Sequence, residues 1–344
     1  MFRKAVACIR PAVARVHQQM RTDHAPVAGL GGLALNLLRL GWRARRLGGA
    51  SALAELSGHM LASQGLLGAC LPAQAYGPLP RHRADVYLPP AACPRPARGW
   101  PVVVFFHGGS WQTGSRQEHA FVGWSLAAQG AVVVVADYRL HPETGYPGFL
   151  EDSARAVVWA RRQLPHWDAD PERFHLMGHS AGAYNAAMLA LDARWLEAQG
   201  GTPAWLAGWI GLAGPYNFWP VTVPELKPVF AGADVGADCQ PVAHVHREAP
   251  PSWLLTAPND RWVSPDLNSR ALHRRLLAAG ARSEWLTVPR TGHISLLACL
   301  APPLQGWAPV MPRVWQALQG QVWAEAQTST VNSGSQPRVS PLWE

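Results

Sequence analysis

Residues 173–191 read RFHLMGHSAGAYNAAMLAL. The first five form a short, largely apolar run of strand character, Gly178-His179-Ser180-Ala181-Gly182 follows, and from Ala181 onward apolar residues recur at helical spacing. A strand that becomes a helix within so few residues needs small side chains on both flanks of the turn. Such a turn lifts the serine hydroxyl above the end of the sheet on a strained backbone. Ala181 opens the helix, so its N–H lies at the positive end of the helix dipole, where an oxyanion is stabilised. The competing reading is a serine that only caps the helix, and the flanking sequence weighs against it.

Upstream, His107-Gly108-Gly109-Ser110-Trp111 follows an apolar run at 102–106. Paired glycines let a backbone approach a ligand closely and turn its N–H groups toward developing negative charge. Gly108 and Gly109, with Ala181, are therefore the expected oxyanion hole, and Ser110 lies adjacent. The plainer alternative is a glycine turn with His107 as a packing residue. His107 itself is read as holding the loop in shape.

Downstream, an activated serine needs a base to take its proton and an acid to orient that base. Asp260 lies beyond a predicted strand at 253–257, and His293, within Thr291-Gly292-His293, lies beyond another at 283–288. Ser180, Asp260 and His293 thus form the candidate catalytic set. Asp266, Asp234 and Asp238 are rival acids, and His273 sits on the helix before the last strand.

Strand-like runs at 84–88, 102–106, 131–136, 173–177, 207–212, 253–257 and 283–288 alternate with helical patterns, among them 152–164, 181–197 and 267–279. That alternation predicts an α/β fold with a mostly parallel central sheet flanked by helices. The runs at 102–106 and 131–136 are apolar throughout, as strands covered on both faces should be.

The chain from about residue 76 to 318 resembles the α/β-hydrolase superfamily, particularly bacterial carboxylesterases with an HGGxW loop, related to hormone-sensitive-lipase-like esterases and arylformamidases. The motifs that carry the resemblance are Asp85-Val86-Tyr87, His107 to Trp111, Asp137-Tyr138-Arg139-Leu140, Gly178 to Gly182 and Gly292-His293. The order Ser180, Asp260, His293 is that of this fold. One departure stands in the acid loop: it reads Thr256-Ala257-Pro258-Asn259-Asp260, where relatives often carry a glycine before the acid. The resemblance also implies that Asp137, Glu151 and Asp152 are scaffold carboxylates.

These readings imply hydrolysis of a small-molecule carboxylic ester through an acyl-enzyme, with neither cofactor nor metal. A proline-rich stretch between Gly214 and Pro251 holds Tyr216, Phe218 and Trp219, read either as a short aromatic lid or as surface packing. With Trp111, and with Trp262 beside the acid, these residues form the expected substrate pocket, a narrow apolar site for short acyl or aryl esters. An arylformamidase acting on N-formylkynurenine, and a non-catalytic binding protein on a hydrolase fold, are the other hypotheses.

Composition excludes several other classes. In 344 residues, 48% are hydrophobic and only 15% charged, which fits a large buried core. The net charge of +8 suggests nucleic-acid binding until it is located. Residues 1–50 hold nine Lys/Arg against Asp23 alone, while the remaining 294 residues hold 21 basic and 21 acidic side chains. The neutral body argues against nucleic-acid binding. No run approaches the length of a membrane span, because Asn36, Arg39 and Glu55 interrupt the best candidates. Five cysteines without a CxxC pair point to buried thiols, and His244 with His246 lacks a third ligand for a metal.

The expected organisation is a basic N-terminal helical extension or leader at 1–74, a catalytic domain at 75–322 and a disordered tail at 323–344. Residues 30–47 have an amphipathic pattern. The extension is open to three readings: a helical arm packed on the body, a mobile or mis-started leader, or an export signal, since Leu67-Gly68-Ala69-Cys70 resembles a lipoprotein cleavage site. A cytoplasmic location is favoured over export.

Overall fold

The structure, a computed structural model, describes residues 49–231 and 236–323. The amphipathic stretch at 30–47, the tail beyond 323 and the rival acid Asp234 lie outside the described residues.

In chain order the main elements are α1 (Gly49–Ser63), β1 (Cys70–Ala75), β2 (Arg83–Tyr87), β3 (Trp100–Phe106), α2 (Ala120–Ala128), β4 (Val132–Ala136), α3 (Gly148–Gln163), β5 (Ala169–His179), α4 (Ala181–Leu191), α5 (Ala193–Glu197), β6 (Gly208–Leu212), β7 (Ser252–Thr256), α6 (Ala271–Ala278), β8 (Ser283–Thr287), α7 (His293–Ala298) and α8 (Val310–Leu318). The strands form one sheet in the order β1-β2-β4-β3-β5-β6-β7-β8. Strand β2 pairs antiparallel with both β1 and β4, and every other pairing is parallel.

Helices cover both faces, and each face of the sheet has its own core. Val102, Val104 and Phe106 pack with α3 and α4 on one side, while Val103 and Phe105 pack with α1, α2 and α8 on the other. Alternate residues of a strand point to opposite faces, so a strand buried on both has to be apolar throughout, and β3 and β4 are.

This topology decides where a site can form. From β3 the chain crosses to β4 on one side, then returns to place β5 on the other, with Phe106 opposite Gly178. A crevice opens outside the carboxyl ends of strands where the winding reverses in this way. The loops leaving β3 and β5 carry the Gly108-Gly109 pair and Ser180.

Several boundaries differ from the sequence reading. The sheet starts at Cys70, inside the stretch assigned to the extension, because Cys70 and Leu71 pair with Tyr87 and Val86. As an edge strand with Pro72 and several exposed positions, β1 carries no continuous apolar signal. Burial pushes the Cys70 thiol up to about 12, which makes it an inert thiol within the sheet. The single helix expected over 181–197 breaks at Asp192, whose side chain accepts from Arg194 N–H and caps α5. Helix α1 packs its Leu53 against Phe121 and Val122 of α2. Among the described residues, no helix is long and apolar enough to cross a membrane.

Candidate active site

Ser180 occupies the turn between β5 and α4 with φ 52° and ψ −120°, in the left-handed half of backbone space that a side chain rarely adopts. Its N–H donates to Leu212 O at 2.9 Å, which ties the turn to β6. The two flanking glycines are steric necessities. A Cβ on Gly178 would stand 2.1 Å from Gly182 O, and one on Gly182 would stand 2.0 Å from Phe106 O.

The Gly108-Gly109 loop is pinned from behind. Trp111, with 1% exposure, donates its indole N–H to Asn185 Oδ1 at 2.9 Å, and Asn185 Nδ2 donates to Ser153 Oγ at 3.2 Å. Ser110 and Trp111 both have positive φ, so the loop is held in a shape that its local sequence does not favour. His107 stacks between Tyr138 and His119, and Tyr138 OH donates to His107 O at 2.8 Å. Burial pulls the His107 imidazole down to about 3, so it remains neutral. The N–H groups of Gly109 and Ala181 donate to no protein acceptor among the described residues.

Asp260 and His293 meet across the ends of β7 and β8. His293 Nδ1 donates to Asp260 Oδ2 at 2.6 Å, while the N–H groups of Trp262 and Val263 donate to Asp260 Oδ1 at 2.9 and 3.0 Å. Burial alone would raise the Asp260 pKa, but the hydrogen bonds from His293 and the two amides outweigh it and hold the carboxyl below its usual range. An ionised carboxylate can only accept, so the proton shared in this pair sits on His293 Nδ1. The rival acids are engaged elsewhere: Asp266 is exposed and paired with Arg270, and Asp238 with Arg194. Asp137 pairs with Arg116, and Asp152 with Arg139 and His82, away from the crevice.

Ser180, His293, Gly108 and Gly109 line one cavity of about 760 Å³. Ser180 Oγ makes no hydrogen bond to His293 among the described residues, although both face this space. Such contacts are often long before substrate binds. Asp260 and Ala181 do not line the cavity: Asp260 pairs with His293, and Ala181 is buried.

The cavity walls depart from expectation. Trp111, Tyr216, Phe218 and Trp219 do not line it. Trp111 packs with Phe149, Tyr184, Phe218 and Phe230 on the far side of its loop, and Tyr216 lies fully buried against Trp209. Trp219 is 41% exposed. Aromatic content does not say which face of a loop a ring occupies, and here Trp111 and Tyr216 are in the core while Trp219 is exposed. The walls come instead from Leu53 of α1, Phe121 of α2, Ile294 and Leu297 of α7, and Leu304, with Trp262 at the edge. Trp262 is 71% exposed and meets the His293 ring edge-on at 5.0 Å. The signal for Ile294 and Leu297 was present, since they follow His293 at positions one and four of the same helix. Leu53 lies in the segment expected to be an N-terminal helical extension or leader.

The sequence profile of the α/β hydrolase fold matches residues 103–228. Probable isoprenylcysteine alpha-carbonyl methylesterase ICME of Oryza sativa subsp. japonica is 33% identical over 146 residues, covering 41% of this chain and 34% of that protein. Esterase LipC of Mycobacterium tuberculosis is 29% identical over 238 residues, covering 63% and 58%. Kynurenine formamidase of Danio rerio is 29% identical over 230 residues, covering 64% and 74%. The chain thus spans about a third of the length of the plant methylesterases it matches. Among solved structures, the Pyrobaculum calidifontis esterase superposes with a TM-score of 0.62 at 20% identity, over 88% of this chain and 97% of that one. The wound sheet with its serine turn, the profile match over 103–228 and the superposition agree on the architecture: the chain has the α/β-hydrolase fold.

Proposed function

We propose that this chain is a serine hydrolase that cleaves short-chain or aryl carboxylic esters through an acyl-enzyme. The observation that carries the reading is the 2.6 Å Asp260–His293 pair at the edge of the same cavity that Ser180 faces from its strained turn.

Ser180 Oγ attacks the ester carbonyl carbon while His293 Nε2 takes its proton. Asp260 stabilises the imidazolium and keeps its ring oriented. The carbonyl oxygen, now an oxyanion, accepts from the N–H groups of Gly109 and Ala181, with Gly108 shaping the approach. Loss of one such donor costs about 10²- to 10³-fold in rate. The imidazolium then protonates the leaving alkoxide, and the C–O bond breaks to leave acyl-Ser180. Water attacks the acyl carbon as His293 takes its proton, and the proton returns to Ser180 when the acid departs.

The apolar walls from Leu53, Phe121, Leu297 and Leu304 support an apolar acyl or aryl group, with enough volume for an aromatic ring. Faster turnover of p-nitrophenyl acetate than of the palmitate, abolished by Ser180→Ala, is the expected result; the reverse order, or activity surviving in S180A, would overturn the reading. A second reading, formamide hydrolysis, is favoured by the match over 74% of the Danio rerio formamidase. Turnover of an aryl formamide above that of the aryl ester would establish it. Failure of a fluorophosphonate to label Ser180 would instead leave a binding protein.

A further inference from the structure

We infer that His179, the residue between Gly178 and Ser180, is a positioning residue that tethers the backbone at His293 to the nucleophile turn. The inference rests on the proposed function for its catalytic consequence, but not for its geometry. His179 Nε2 lies 2.9 Å from His293 O, a contact that joins residues 114 positions apart, and the two rings lie 4.9 Å apart at 53°. A carbonyl oxygen can only accept, so Nε2 carries the proton and donates. The ring is 3% exposed and also presses on the oxyanion loop, where a Cβ on Gly108 would meet His179 Nδ1 at 2.8 Å.

One side chain thus touches the two other loops that must converge on substrate, and it is covalently adjacent to the nucleophile. Among the described residues, the other side-chain hydrogen bonds at 291–293 are local or lead to Asp260: Thr291 Oγ1 donates to Val288 O, Gly292 N–H donates to Ser295 Oγ, and His293 donates to Asp260. None of these refers the base to Ser180. The His179 bond does, because the imidazole and the serine hydroxyl extend from neighbouring residues of one rigid turn. Burial, with the nearby His293 adding to it, pulls the His179 imidazole down to about 3, so it stays neutral and adds no charge against the imidazolium that forms on His293.

The test compares His179→Gln, whose amide N–H reaches close to the position of Nε2, with His179→Asn, whose amide falls short, and His179→Met, which has no donor. A misplacement near 1 Å costs about 10²-fold, so H179N and H179M are expected to lose about that much kcat with KM within about twofold, while H179Q stays within about fivefold of the parent. Parental kcat in H179N and H179M, or a loss in H179Q as large as theirs, would overturn the inference. If H179M fails to fold, the two amide variants decide by the same comparison. Independently of turnover, 15N spectra of the full chain labelled at histidine should show His179 neutral and protonated on Nε2 from about pH 5 to pH 8. Protonation on Nδ1, or a charged ring in that range, would overturn the tether even if esters are cleaved. That spectrum intact in a chain that cleaves no ester would sink the functional reading alone.

Discussion

Trp111 donates its indole N–H to Asn185 Oδ1 at 2.9 Å across 74 residues, and this bond fastens the Gly108-Gly109 loop to helix α4 directly behind the nucleophile turn. The tryptophan of the HGGxW loop is therefore an anchor for the loop, and the wall of the cavity is made by others. Replacing Asn185 by Leu leaves a buried N–H without a partner, which costs about 1–3 kcal/mol. N185L is expected to unfold at lower temperature and to lose kcat in proportion to how far the loop moves. Thermal denaturation together with kcat on a short ester checks this, and parental values for both would count against the anchor.

Asp260 is expected to matter for both rate and acid stability. Asp260→Asn should lower kcat by about 10⁴-fold, as loss of the orienting acid does in serine hydrolases of this mechanism. The folded-state pKa of Asp260 lies below its ordinary value, so its carboxylate contributes stability above the unfolded pKa of about 4 and loses it as pH falls through the folded value. Any gap in melting temperature between the parent and D260N should narrow as pH falls below about 4. A gap that widens on acidification would contradict the assigned ionisation.

Ala298 lies on the wall between the main cavity and a shallower depression that shares Trp262 and Ile294. Ala298→Trp should narrow the acyl space, and the ratio of kcat/KM for p-nitrophenyl butyrate over acetate should fall by about tenfold. An unchanged ratio would place the acyl group elsewhere.

Gly182 admits no side chain, since a Cβ there would stand 2.0 Å from Phe106 O. Gly182→Ala has to push β3 and α4 apart, and a loss of more than about 3 kcal/mol is expected. Urea denaturation measures it, and a neutral outcome would mean the turn is looser than described.

The strands at 102–106 and 131–136 were legible because a strand buried on both faces leaves an unbroken apolar run. Gly178 to Gly182 was legible because close approach tolerates little else. Strand β1 was not, since an edge strand exposes half its residues, and neither was the break at Asp192, where a side chain outcompeted the helix by capping the next one. Aromatic character alone points to a pocket for Tyr216 and Trp111, yet both are buried in packing.

Local chemistry alone determined which residues could react: a serine between glycines at a strand-to-helix turn, a glycine pair after an apolar strand, and an acid and a histidine after late strands. Only the tertiary structure decided which groups meet. Asp260 found His293, Asp238 found Arg194, and Leu53 closed a cavity 127 residues ahead of Ser180 in the chain. The reason is physical: backbone preference acts over a few residues, whereas contacts across a wound sheet depend on strand order and on which face of each loop is driven into the core.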